Sequence, residues 1–159
     1  MKIFDRSYWL VIGVLFFTFL IQGCVKQPVQ LSGPGTEKWN LNAIVNFGDD
    51  TAEINNQKMF LIPSPTEKGV FSVVAKIECE FNPPFGRFRA YFVRGEWNGE
   101  IKNGIFAGTT SKIVQTEKGS GNVTGDVKGT FSGDRASGTF TETSDGGIIH
   151  GQWTAEKIK

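Results

Sequence analysis

GNVTGDVKGTFSG, residues 121–133, sets glycine, valine and phenylalanine on one parity and asparagine, threonine, aspartate, lysine and serine on the other. Successive side chains of a β-strand point to opposite faces. Gly121, Val123, Gly125, Val127, Gly129, Phe131 and Gly133 therefore share a buried face, and the polar set meets water. Glycine weakens a strand interior, so its repetition on the buried side needs a reason. Bending at barrel corners, with neighbouring aromatics filling the space, supplies one. Drawn straight, the stretch would span roughly 40 Å at about 3.4 Å per residue. That is too long for a small domain, so the strand is either strongly coiled or broken in two near Gly125-Asp126.

The same grammar extends in both directions. Gly138-Thr139-Phe140-Thr141 and Gly151-Gln152-Trp153-Thr154 repeat glycine and aromatic two residues apart, and most of the 20 glycines lie at or beyond Gly95. Asn103-Gly104, Asp134 to Ser137 and Ser144-Asp145-Gly146-Gly147 read as turns. Upstream, Trp39, Leu41, Ala43, Val45 and Phe47 alternate with mostly polar neighbours up to Gly48-Asp49-Asp50. Ala52–Ile54 and Met59–Ile62 flank Asn55-Asn56-Gln57 as a hairpin, and Pro63-Ser64-Pro65 stops the second strand. Val70–Phe81 alternates cleanly and places Cys79 among Phe71, Val73, Ala75, Ile77 and Phe81, as a small buried hydrophobe. Asn82-Pro83-Pro84-Phe85-Gly86 turns the chain into a strand from Arg87 to Trp97, with Phe88, Ala90 and Phe92 facing the core. No window shows helical spacing. The expectation is all-β: an antiparallel meander of about eight to ten strands, forming a small barrel or a curled sandwich.

The N-terminus is of a different kind. Lys2 and Arg6 precede Tyr8–Ile21, an uncharged apolar run shorter than the ~20 residues a membrane-spanning helix needs, and Ile21-Gln22-Gly23-Cys24 closes it. A positive start, a short apolar core and a small residue at the cut form an export signal. The ending resembles the lipobox of bacterial lipoprotein signal peptides. That resemblance implies cleavage before Cys24, acylation of its thiol, and membrane attachment through its acyl chains. It covers the leader alone. Residues 1–23 then form the cleaved signal peptide, 24–38 a Pro- and Gly-bearing tether, and 39–159 a single all-β domain. The expected address is the cell envelope, and the outer membrane in a Gram-negative organism, because Val25 stands where a retention signal would place aspartate.

Removing the leader takes Lys2, Arg6 and Asp5 from a chain of 17 basic and 16 acidic side chains, which leaves the mature domain formally neutral. Nothing in that balance suggests nucleic acid as a partner. The glycine-aromatic meander resembles, in architecture, the barrels of the lipocalin and avidin kind. Those families set their Gly-x-Trp near the start of the barrel. Here Gly95-Glu96-Trp97 and Gly151-Gln152-Trp153 lie in the second half, so no functional residue is carried over.

Chemistry is sparse. His150 is the single histidine and reads as a surface residue near a strand end. No nucleophile elbow occurs, and Asp49, Asp50, Thr51 and Glu53 match no standard calcium loop. Neither cofactor, metal nor catalysis is expected. The binding candidates are Arg89, Tyr91, Arg94, Trp97 and Trp153, aromatic faces beside guanidinium groups. Two roles follow. The domain captures a small apolar or lipid-like molecule in a barrel mouth lined by these residues, or it presents a sheet face to an envelope protein, in which case the interior is filled.

Overall fold

The computed structural model describes residues 33–86 and 89–159. The leader, Cys24 and most of the tether lie outside them, as do Arg87 and Phe88. Eight antiparallel strands follow one another around a closed barrel: β1 (Glu37–Phe47), β2 (Asp50–Pro63), β3 (Val70–Phe85), β4 (Ala90–Lys102), β5 (Ile105–Thr116), β6 (Gly119–Ser132), β7 (Arg135–Ser144) and β8 (Gly147–Lys157). The ring closes between β1 and β8, from Trp39 opposite Lys157 to Asn46 opposite His150. Closure pairs every strand with two neighbours, though the β2–β3 ladder covers only Lys58–Pro63 against Phe71–Lys76. Residues 31–159 form a compact unit whose core cluster lies wholly within strands β1 to β8, which is what an independently folding domain requires.

The barrel confirms the reading from Gly121 to Phe131 and settles its alternatives, while Gly133 lies exposed in the β6–β7 turn with φ 59°. β6 is one unbroken strand with Val123 and Val127 buried and Asn122, Thr124, Asp126, Lys128, Thr130 and Ser132 exposed. It is coiled rather than broken. Two-residue turns join most neighbours. At Asn103-Gly104 both residues take positive φ, 54° and 76°, as the tight mirror-image hairpin turn demands.

Three local expectations are corrected. Asn55-Asn56-Gln57 makes no hairpin, because β2 runs through it as one strand with a bulge. Leu41 pairs with Gln57 but Ala43 pairs with Ile54, so Asn55 and Asn56 share a single opposite residue. Asn56 takes φ 58°, a conformation that asparagine tolerates. Its freed N–H donates to Asn42 Oδ1 at 2.9 Å. The Pro83-Pro84 stretch belongs to β3, whose pairing jumps from Glu80 to Phe85 before the chain turns after Gly86. Finally, β4 shifts register between Ala90 and Phe92. Ala90 and Val93 face inward and Phe92 faces out, so the simple alternation from Phe88 to Phe92 fails at one inserted residue.

Inside, the glycines serve large side chains. A Cβ on Gly138 would stand 2.7 Å from Trp153 Cε2, and one on Gly129 would meet the same indole. Gly99 makes way for Phe106, and Gly151 for Phe140. Each ring occupies volume that the opposite strand gives up.

Candidate functional site

The interior differs between the two ends of the barrel. At the end carrying the start of β1, the end of β8 and the β2–β3, β4–β5 and β6–β7 connections, Trp39, Leu41, Met59, Trp97, Phe106, Phe140 and Trp153 are all at most 2% exposed. Their rings interlock: Phe106 and Trp153 stand edge to face at 5.8 Å, Trp97 and Trp153 at 6.0 Å, and Trp39 and Phe131 at 5.1 Å. Aromatic pairs prefer these angles. This end is a plug.

The opposite end holds a cavity of about 280 Å3 that opens to solvent. Val45, Ile54, Phe81, Phe85, Val93 and Val114 supply its apolar wall, and turn residues such as Gly86, Lys118 and Gly146 ring its mouth. At its floor lie two charges. Lys112 Nζ and Glu142 Oε1 are 2.6 Å apart, with side chains 5% and 2% exposed. Thr110 donates its hydroxyl to the same Oε1 at 2.6 Å, and the Lys112 ammonium sits 5.2 Å from the centre of the Phe140 ring.

Backbone register explains how this trio forms. Thr110 is opposite Gly125, and Gly125 is opposite Glu142. The missing side chain at Gly125 lets Thr110 and Glu142 meet across an intervening strand. Gly95 faces Lys112, where a Cβ would come within 2.5 Å of Lys112 Cγ. Two glycines thus clear the path of the buried pair. Burial of both charges is tolerable because each has the other and Glu142 also accepts a hydrogen bond from Thr110.

Of the residues anticipated as a binding group, only Trp97 and Trp153 come together. Trp97 and Trp153 belong to the plug, and neither lines the main cavity. Trp153 does border a second, more polar depression of about 250 Å3 in the wall between β8, β1 and β2. Arg89 is exposed outside the mouth and pairs with Glu117 at 2.6 Å. Tyr91 is 43% exposed at the β4 bulge, and Arg94 stands on the outer wall opposite Glu78. His150 is exposed, with Nδ1 3.3 Å from Thr141 Oγ1. Cys79 points inward against the core and is half-buried; burial pushes its thiol pKa up, and the neighbouring Glu80 carboxylate adds to the shift.

Lys112, Glu142 and Thr110 were missed, although the sequence carries a signal for them. Lys112 shares parity with Phe106, Gly108 and Val114, and Glu142 with Gly138 and Phe140. A charge on the apolar parity of each of two strands is the mark of an internal pair.

No family model matches the chain, and no curated protein matches it. Among solved structures, the ywiB protein from Bacillus subtilis aligns with 8% identity over 78% of this chain and 94% of its own, at a TM-score of 0.41. A likeness at that level carries no argument about function.

Proposed function

We propose that this chain is a lipid-anchored lipoprotein of the cell envelope whose barrel binds a small apolar or lipid-like molecule through its open end, without catalysing a reaction on it. One observation carries the reading: an apolar cavity of about 280 Å3 persists at one end of a barrel whose other end is packed solid. Protein interiors are normally close-packed, and an apolar chamber with a few convergent polar groups is the usual form of a small-molecule site. The assembly role finds less support. The exposed large apolar residues, Ile44, Tyr91, Ile105, Ile113, Ile148 and Ile158, are spread over β1, β4, β5, β8 and the C-terminus and form no single docking face of the kind that marks an interface.

The anchor rests on the Ile21-Gln22-Gly23-Cys24 ending. Its test is metabolic palmitate labelling of the full chain in a bacterial host. The wild type is expected to label and to fractionate with membranes, and Cys24→Ser to do neither. A Cys24→Ser chain that still labels would end the lipoprotein reading. Binding is tested on residues 25–159 by native mass spectrometry before and after exposure to an envelope extract. The expected result is an adduct of a few hundred daltons that is lost on denaturation. A bare domain would remove the cavity from any binding role.

A further inference from the structure

The buried pair at the cavity floor bears on what kind of head group the site accepts. Resting on the binding reading above, we propose that the cavity selects an uncharged molecule, an apolar body carrying one hydrogen-bond acceptor such as a ketone, ester, amide or ether, with that acceptor seated at Lys112.

Three observations lead there. The first is a donor with unused N–H groups. An ammonium carries three N–H groups, and among the described residues Lys112 Nζ meets one acceptor, Glu142 Oε1. Thr110 spends its hydroxyl hydrogen on the same oxygen. A ligand acceptor at Lys112 would take an ammonium N–H that Glu142 Oε1 does not.

The second is charge. Lys112 and Glu142 cancel each other at 2.6 Å. An ionised carboxylate would add an uncompensated negative charge to a chamber walled by valine, phenylalanine and isoleucine, and burying an unpaired charge is costly. An ammonium head would have to displace Lys112 from Glu142. At the rim, Lys118 and Asp145 both line the mouth, so no single sign of charge draws in an ion. A neutral head incurs neither penalty.

The third is size. About 280 Å3 lies just under the roughly 300–1,000 Å3 of ordinary ligand pockets. One short chain or ring system fits, and a two-tailed lipid does not.

The test uses residues 25–159 and three probes with equal chains: 2-octanone, octanoate and octylammonium, titrated calorimetrically at neutral pH. 2-Octanone is expected to bind about tenfold more tightly than either ion, the scale of one hydrogen bond to a charged donor. Glu142→Gln leaves the Lys112 charge unbalanced and is expected to reverse the order in favour of octanoate. Lys112→Met with Glu142→Met removes both charges at similar volume, and should cut 2-octanone affinity by about tenfold. Octanoate binding the wild type as tightly as 2-octanone would overturn this selection while leaving the pocket reading intact. Failure of all three probes to bind would overturn both. Should Glu142→Gln not fold, the double variant decides, and unchanged 2-octanone affinity there refutes the role of Lys112.

Discussion

The two ends of this barrel are built from the same strands and the same alternation, yet one is a solid and the other a container. Strands β4 to β8 each contribute to both. β5 sends Phe106 into the plug and Val114 to the cavity wall, with Lys112 between them at the floor. What changes along the strand is the partner of each inward side chain. In the plug, rings lie over glycines: Trp153 over Gly129 and Gly138, Phe106 over Gly99. Toward the mouth, Gly121 and Gly119 face nothing within 4 Å. A glycine beneath a ring completes packing, whereas a glycine beneath no ring leaves space. The same residue thus closes one end and opens the other.

The sharpest way to break this comparison is to truncate a ring in the plug. Phe106 is fully buried and stands edge-on to both Phe131 and Trp153. Phe106→Ala is expected to cost about 3–5 kcal/mol, the range for large aromatic deletions in cores that cannot collapse. Equilibrium urea denaturation measures it. A loss below about 1 kcal/mol would mean that this end is not the rigid plug described.

Next in size stands the pair that divides the two regions. Lys112→Ala strands Glu142 as a buried charge with one hydrogen bond, from Thr110, and is expected to cost about 3 kcal/mol. The double replacement Lys112→Met/Glu142→Met removes both charges and should return to within about 1 kcal/mol of the wild type. The double-mutant cycle, read by urea midpoints, isolates the coupling. Additive losses would mean that the two side chains are not paired in solution.

Much of this fold could be read from residue order. Alternation in Val70–Phe81 and Gly121–Gly133, with the Asn103-Gly104 turn, is enough for an antiparallel meander, and the glycine spacing implied strong curvature. The strand number and a small barrel were among the expectations, but barrel could not be told from curled sandwich, because closure depends on how β1 and β8 meet across more than a hundred residues. Local errors came from single inserted residues. Asn55-Asn56 carries the composition of a turn and forms a bulge, since Asn42 across the ladder satisfies its N–H. The register shift after Ala90 turned Phe92 outward and carried Tyr91 and Arg94 away from any cavity. A one-residue slip exchanges the faces of a strand, and a bulge of this kind leaves little trace in composition. The candidate site suffered most. Aromatics beside arginines are conspicuous in the sequence, while the residues at the cavity floor are Lys112 and Glu142, two charges on apolar parity whose meaning depends on β5 and β7 standing two strands apart.

The smallest expected effect on stability sits at the mouth, and there the comparison becomes functional. Phe85 is half-buried, tilts against Phe81 at 5.4 Å between ring centres, and lines the cavity. Because the ring is only half-buried and borders the cavity, Phe85→Ala forfeits only part of a full burial. A stability loss of about 1 kcal/mol is expected, set against several times that for the same substitution at Phe106. Ligand affinity should move the other way, because Phe85 supplies wall to the chamber and Phe106 does not. In the same urea and calorimetric experiments, 2-octanone binding should weaken by about tenfold in Phe85→Ala, the worth of one removed apolar contact surface. A Phe85→Ala protein as unstable as Phe106→Ala would show that the mouth is core in disguise. One that keeps both its stability and its affinity would place the binding surface deeper, around Val93, Val114 and the floor.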